Sequence, residues 1–253
     1  GAALAQDVII GHFGSPTPMQ VARASGAFDA ATGWTIEWRQ FGSGTEVIAA
    51  MASGDVQVAE LGSSPLAIGA SQGVEYQLFM IAQGLGTAES LIAKEGSGIA
   101  ALEDVRGKRI AVPVGSTAHY SLMGALAHAG IPEAEVEIIN LPADQIAAAW
   151  DSGQVDAAFI WEPVQNQILQ TGTFILGADQ TAAWGYPTFD GWVVNTEFAA
   201  ANPEAMAAFA RTMNEANMAY LADPAAWTAD SAPVKTIAEV TGAAADQVPN
   251  ILK

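Results

Sequence analysis

From residue 7 onward the chain alternates short β-like runs with longer helical stretches, and this alternation limits its fold more than any other feature. Residues 8–12 form an apolar β-like run, 18–31 an Ala-rich helical segment, 35–41 a second β-like run and 45–53 a helix. The rhythm continues with a strand over 56–61, a helix opening at Ser64-Pro65, and strands over 77–82, 90–94 and 109–114. A helix over 116–129, a strand over 135–140, a helix over 144–152 and a strand over 157–161 follow. A short helix after Pro163, a strand over 191–195 and a mostly helical tail from Pro203 complete it. Strands spaced by helices bury both faces of a largely parallel sheet, so the class is α/β, built from βαβ units.

Two similar phrases mark corresponding places, Ala52-Ser53-Gly54-Asp55-Val56 and Asp151-Ser152-Gly153-Gln154-Val155-Asp156. Each ends a helix at glycine and feeds a strand. One repetition implies two similar lobes, since a solenoid needs several closely spaced copies. The chain crosses between lobes near 91–94 and 189–193, which assigns 7–92 with 192–253 to one lobe and 93–191 to the other. No Pro/Ser-rich linker separates independent domains, so strand-like hinges join the lobes.

Charge and composition narrow the function. With 27 acidic against 9 basic residues the net charge is −18, which repels nucleic-acid phosphates and anionic membranes. No apolar run reaches the roughly 18 residues of a membrane span. The absence of cysteine excludes disulfides, thiolate nucleophiles and Cys-ligated metals. Ala3-Leu4-Ala5 before Gln6 reads equally well as the end of a secretory signal or as an ordinary Ala-rich start. His12, His119 and His128 lack metal-site spacing, and no nucleophile elbow, P-loop or dinucleotide fingerprint occurs at a strand-to-helix turn. The expectation is therefore no catalytic residues, no metal and no cofactor.

In open parallel sheets ligands gather at the carboxyl ends of strands, where helix N-termini present free N–H groups to anions. Three strand ends combine glycine with hydroxyls: Gly14-Ser15-Pro16-Thr17, Gly62-Ser63-Ser64-Pro65 and Gly115-Ser116-Thr117-Ala118-His119. Taken singly, Ser64 before Pro65 is ordinary capping, whereas three such ends together point to a shared anion site. Arg39 is the one cation at a predicted strand end near these loops, so dipoles and hydroxyls carry the recognition. At a fourth end Trp161 either walls a pocket or plugs the base of a lobe, and Glu162 before Pro163 reads as a solvated carboxylate. Asp190, within Tyr186-Pro187-Thr188-Phe189-Asp190-Gly191-Trp192, is either a buried acid satisfied by backbone amides or the counter-ion of a ligand ammonium.

The phrases Ile36-Glu37-Trp38-Arg39-Gln40-Phe41-Gly42-Ser43-Gly44, Leu61-Gly62-Ser63-Ser64-Pro65-Leu66-Ala67, Gly107-Lys108-Arg109-Ile110-Ala111-Val112-Pro113 and His119-Tyr120-Ser121-Leu122, with residues 52–56 and 187–194, resemble in order and spacing the taurine-binding proteins of ABC importers. The resemblance implies a two-lobed type II periplasmic binding fold, each lobe a mixed, mostly parallel sheet flanked by helices. It also implies a periplasmic monomer that takes a small sulfonate between its lobes and delivers it to a permease driven by a separate ATPase. Carried over by position, the sulfonate site falls on Ser15, Thr17, Ser63, Ser64, Thr117 and His119, while Trp161 lines the cleft and Asp190 takes the ammonium. A sulfonate stays ionised and is served by N–H dipoles, whereas an ammonium needs an acceptor that an alkyl chain avoids.

Two features depart from the pattern: Glu60 stands where a neutral residue is expected, and the chain stops at Lys253, where relatives continue with further helices. Hypotaurine, isethionate, an aminophosphonate and simple alkanesulfonates are alternative ligands. An enzyme resembling the thiamine-pyrimidine synthases on the same architecture, using His119 and Lys94, is the rival of another class. A regulator's sensor lobe would need a helix-turn-helix or basic face that is absent here.

Overall fold

The two repeated phrases do the same job in three dimensions in the computed structural model, which describes residues 6–252; the Ala3-Leu4-Ala5 signal-like phrase lies outside the described residues. Helix α3 (Gly44–Ser53) ends on Gly54 at φ +83°, whose N–H donates to the Met51 carbonyl 3.1 Å away. The helix over Ala143–Asp151 ends the same way: Gly153, at φ +73°, donates to the Trp150 carbonyl at 3.1 Å. The left-handed conformation suits glycine, which carries no Cβ to clash with the following carbonyl.

The strands are β1 (Gln6–His12), β2 (Trp34–Gln40), β3 (Val58–Gly62), β4 (Tyr76–Gly84), β5 (Glu89–Lys94), β6 (Arg109–Val112), β7 (Glu137–Asn140), β8 (Ala157–Trp161), β9 (Gly172–Gly177) and β10 (Phe189–Asn195). They form two five-stranded sheets with the same plan, β2-β1-β3-β10-β4 and β7-β6-β8-β5-β9. In each, three strands pair in parallel and a strand from elsewhere in the chain enters antiparallel, β10 against β3 and β4, and β5 against β8 and β9.

Around them lie α1 (Met19–Ala24), α2 (Ala27–Thr32), α3, α4 (Ser63–Ser71), α5 (Thr117–His128), α6 (Ala143–Asp151), α7 (Val164–Leu169), α8 (Ala178–Ala183), α9 (Thr196–Ala201), α10 (Pro203–Ala222), α11 (Ala232–Thr241) and α12 (Val248–Ile251). Both faces of each sheet are covered. Val8, Ile10, Trp34, Trp192 and Phe209 fill one side of the first sheet, and Val47, Met51, Leu61 and Val193 the other. Ile110, Leu122 and Phe159 pack on one side of the second, and Ala111, Ile146, Trp150 and Ile160 on the other. Each fully buried large apolar side chain contributes roughly 1.5–3 kcal/mol, so each sheet has a core of its own.

Three expectations change. The 18–31 segment is two helices, because Gly26 at φ +71° breaks it between α1 and α2. β9 was not anticipated: its Gly172-Thr173-Phe174-Ile175-Leu176-Gly177 run has glycine at both ends and a single apolar stretch, a weak signal of strand. The chain also changes sheets elsewhere than expected. β5 and β10 each lie wholly within one sheet, and the helix over Ala178–Ala183 packs on the second, so the transitions fall at 85–88 and 184–188 rather than at 91–94 and 189–193. Residues 89–92 thus belong with the second sheet and 189–191 with the first. The two passages touch, the Leu85 N–H donating to the Thr188 carbonyl at 3.0 Å.

Candidate functional site

The carboxyl ends of β1, β3 and β8 and the amino ends of the antiparallel β5 and β10 open onto one cavity of about 920 Å³ between the sheets. This is where an open α/β architecture collects its ligand-binding loops. Ser15 and Thr17 reach it from the loop after β1, Glu60 and Gly62 from β3, Thr117 from the first position of α5, Trp161 from the end of β8, Glu89 from the start of β5 and Asp190 from that of β10.

The electrostatics of this cavity are one-sided. Glu60, Glu89, Glu162 and Asp190 line it, and no lysine, arginine or histidine does among the described residues. Glu60 and Glu89 are 6% and 1% exposed, while Asp190 is packed around yet keeps part of its surface open to the cavity. Glu60 Oε2 accepts from the Phe13 N–H at 3.2 Å, and Asp190 Oδ2 accepts from Gln83 Nε2 at 3.2 Å. Glu89 Oε2 accepts from the Thr117 hydroxyl at 2.7 Å, but its Oε1 is buried with no hydrogen-bond partner.

Withdrawal from water disfavours charge on all of these groups. Burial, reinforced by the Asp190 charge and only partly offset by the Phe13 N–H, pushes the Glu60 carboxyl up to about 8. Burial does the same for Glu89, also to about 8; the Thr117 hydroxyl pulls it down, Asp190 pushes it up again, and Ser121 adds a weaker downward pull. Asp190 rises by burial to about 6 against the Gln83 hydrogen bond, which leaves it the readiest of the three to ionise. Glu162, whose Oε2 accepts from the Asn166 N–H at 3.3 Å, is raised by burial to about 7.

Of the residues expected from sequence, Ser15, Thr17, Thr117, Trp161 and Asp190 line the cavity. Ser63, Ser64 and His119 do not. Ser63 Oγ accepts from the Phe189 N–H at 3.3 Å, tying α4 to β10, and no contact links Ser64 to the cavity. His119 Nδ1 accepts from the Gly115 N–H at 3.3 Å; with that lone pair engaged, burial lowers the proton affinity of the half-buried ring. Its backbone N–H donates instead to the Ser116 hydroxyl, the N-cap of α5, at 3.1 Å.

Glu89, Gln83 and Gln165 are cavity residues that sequence reasoning missed. A search of carboxyl ends of strands passes over the amino end of an inserted antiparallel strand, where Glu89 stands. The available signal was an acid opening the apolar run Ser90-Leu91-Ile92-Ala93. Gln165 is buried, donating to the Thr87 carbonyl at 2.5 Å and to the Ser90 hydroxyl, so it braces the passage between the sheets. No group of three or more His, Asp or Glu among the described residues is arranged to hold a metal ion, and no described helix is long and apolar enough to cross a membrane.

The family model described as NMT1/THI5 like matches residues 15–227. The taurine-binding periplasmic protein of Escherichia coli K12 is 41% identical over 251 residues, an alignment covering 99% of this chain and 78% of that protein. A putative aliphatic sulfonates-binding protein of Bacillus subtilis is 29% identical over 215 residues, 83% of this chain and 64% of the other. Among solved structures, the alkanesulfonate-binding protein SsuA from Xanthomonas axonopodis pv. citri bound to MOPS superposes with a TM-score of 0.85 at 21% identity, covering 100% of this chain and 86% of that one.

Proposed function

Because the chain belongs to the NMT1/THI5-like family, we propose that it is the solute-capturing component of an importer and that its ligand is taurine, held in the cavity between the two sheets. It acts by binding and not by catalysis, in keeping with the 41%-identical binding protein. The observation that carries the taurine reading is Asp190. This acid accepts from the Gln83 amide, but among the described residues no lysine, arginine or histidine lines the cavity, so a cationic partner has to be brought by the ligand. A sulfonate alone would meet repulsion from the carboxylates, while an aminosulfonate brings an ammonium to them and presents its anion elsewhere.

For that anion, Ser15 and Thr17 before α1 supply hydroxyls and the first turn of α5 at Thr117 supplies N–H groups, the Thr117 hydroxyl itself being given to Glu89. Trp161 forms a wall against the two-carbon spacer. Each sheet with its helices acts as one lobe, closing on the ligand about 85–88 and 184–188. Export to the periplasm, a monomeric state and hand-over to a permease coupled to a separate ATPase belong to this reading.

Calorimetry with taurine and with ethanesulfonate tests it. The parent should bind taurine more tightly. Asp190→Ala should lose about tenfold to a hundredfold in taurine affinity, the worth of one hydrogen bond between charged groups at roughly 1.5–3 kcal/mol. Undiminished taurine binding by Asp190→Ala would remove the amine role, and a preference for ethanesulfonate would move the protein to the alkanesulfonate binders.

A further inference from the structure

The loop between β1 and α1 rests on a buried histidine. Val8, Ile10 and His12 alternate along β1 onto one face, and all three are buried, His12 to 2% exposure. The first two belong to the core around Phe209, and the His12 ring meets the Trp38 ring at 73° with centroids 6.1 Å apart. Packing alone would favour a hydrocarbon ring at this place. The imidazole instead takes two nitrogens out of water, and Nε2 makes no hydrogen bond. An unmet buried polar atom costs stability, so the reason for a histidine lies with the other nitrogen.

That nitrogen holds the loop. Nδ1 accepts from the Gly14 N–H at 3.0 Å, the two-residue reach by which an asparagine closes an Asx turn. Accepting requires a neutral ring with its proton on Nε2, and burial, followed by the Arg23 charge, lowers the proton affinity of His12 to about 4. Gly14 itself lies at φ +77°, with the Gln40 amide nitrogen 2.7 Å from where a Cβ would stand. On one side of it the Glu60 carboxylate accepts from the Phe13 N–H at 3.2 Å. On the other, buried Gln20 donates from Nε2 to the Ser15 carbonyl at 2.9 Å and accepts from Arg23 at 3.2 Å. The Ser15 carbonyl also accepts from the Thr17 N–H at 2.9 Å, and Pro16 and Pro18 carry no N–H. The Ser15 and Thr17 hydroxyls, by contrast, line the cavity and make no hydrogen bond to the described residues.

Resting on the reading of this loop as part of the sulfonate end of the taurine site, we propose that His12 is a positioning residue for ligand capture: by holding the Gly14 N–H through Nδ1 it fixes the turn that aims the Ser15 and Thr17 hydroxyls into the cavity. His12 does not line the cavity, so its effect passes through the loop alone. Without the acceptor, the buried Gly14 N–H is left unmet and the turn loses its pin. Binding then has to order the loop as well as fill the site, and affinity falls. Because the loop serves the sulfonate, taurine and ethanesulfonate lose affinity alike. Removing Asp190, by comparison, weakens the aminosulfonate only.

Two substitutions divide the acceptor from the ring. His12→Phe keeps an aromatic ring beside Trp38 and removes the acceptor, whereas His12→Asn gives up the ring and returns an acceptor at Oδ1, the position from which Nδ1 acts. Calorimetry at pH 7 with taurine and with ethanesulfonate, and thermal melting of the same preparations, reads the pair. His12→Phe should melt at or above the parent yet lose roughly tenfold in affinity for both sulfonates. His12→Asn should melt several degrees lower and still bind both within about threefold of the parent. A merely structural role would make affinity follow melting temperature, the reverse of this order. Parent-like affinity in His12→Phe overturns the proposal whatever the asparagine variant does, and so does a loss in His12→Phe that a folded His12→Asn fails to rescue. A parent that prefers ethanesulfonate, with the same pattern across the variants, overturns the taurine reading and keeps the role of His12; a parent that binds neither sulfonate overturns both.

Discussion

Gly62→Ala separates closure of the two halves from folding of either. Gly62 is the last residue of β3 and the N-cap of α4, with φ −69° and ψ 156°, an extended conformation open to any residue. Alanine therefore adds no backbone strain, and its lower entropy in the unfolded chain should stabilise the protein by up to about 1 kcal/mol. The cost arises across the cleft. The added Cβ would sit 2.8 Å from Thr117 Cγ2, on α5 of the other half, with Asp190 Oδ1 at 3.4 Å and Pro65 Cδ at 3.6 Å. Rotating Thr117 away would break its 2.7 Å hydrogen bond to Glu89, so the clash is relieved more easily by holding the halves apart. Overpacking of this kind costs about 1–3 kcal/mol, which becomes a roughly fivefold to 150-fold loss of ligand affinity. Calorimetry and thermal melting on the same preparation read both quantities. The expected pair is a melting temperature unchanged or raised and a weakened dissociation constant. Parent-like affinity would refute the claim that α5 and the end of β3 meet in the ligand-bound form; a large fall in melting temperature would show that the contact belongs to folding.

Two further predictions concern stability. Glu60, Glu89, Glu162 and Asp190 all have folded-state proton affinities above their unfolded values, so the folded chain holds extra protons, and the associated stability is present at low pH and lost as pH rises through about 6 to 8. His12, depressed to about 4, works in the opposite direction, but only below about pH 6.5, so the ligand-free protein should melt several degrees lower at pH 8 than at pH 6.5 and taurine should restore most of the difference; a melting temperature rising across that window contradicts the buried-acid assignment. Gly124→Ala, in mid-α5, would put a Cβ 2.5 Å from the Tyr186 ring carbon Cγ and 2.8 Å from its Cβ, so despite the better helix propensity of alanine it should destabilise by about 1–2 kcal/mol, read as a fall of a few degrees in a thermal melt, whereas a rise would mean that Tyr186 does not pack there.

Much of this protein is legible in the residues themselves. The α/β class follows from hydrophobic periodicity, a local property, and the duplicated plan from two Gly-terminated helix ends, Gly54 and Gly153, each set by one backbone conformation. The loops at Ser15–Thr17 and at Thr117 are marked by glycine beside hydroxyls, and Asp190 by its isolation among aromatics; all reach the cavity. Glu60 is visible as an oddity but carries no direction, because an acid on a strand can face either side.

Tertiary structure decided the rest, for reasons of distance and partnership. Whether β5 and β10 run within a sheet or between sheets depends on pairing with strands roughly 70 to 130 residues away, and residues 85–94 contain no local mark of it. Ser63 and His119 match a binding pattern as well as Thr117 does, yet one hydroxyl accepts from Phe189 and one ring nitrogen from Gly115, contacts that chain order does not reveal. Glu89 lies 29 residues from Glu60 and 101 from Asp190 in the chain. Composition determined that the protein is acidic; only the folding of the chain into two facing sheets brings Glu60, Glu89 and Asp190 to one cavity with no lysine, arginine or histidine among its described lining residues.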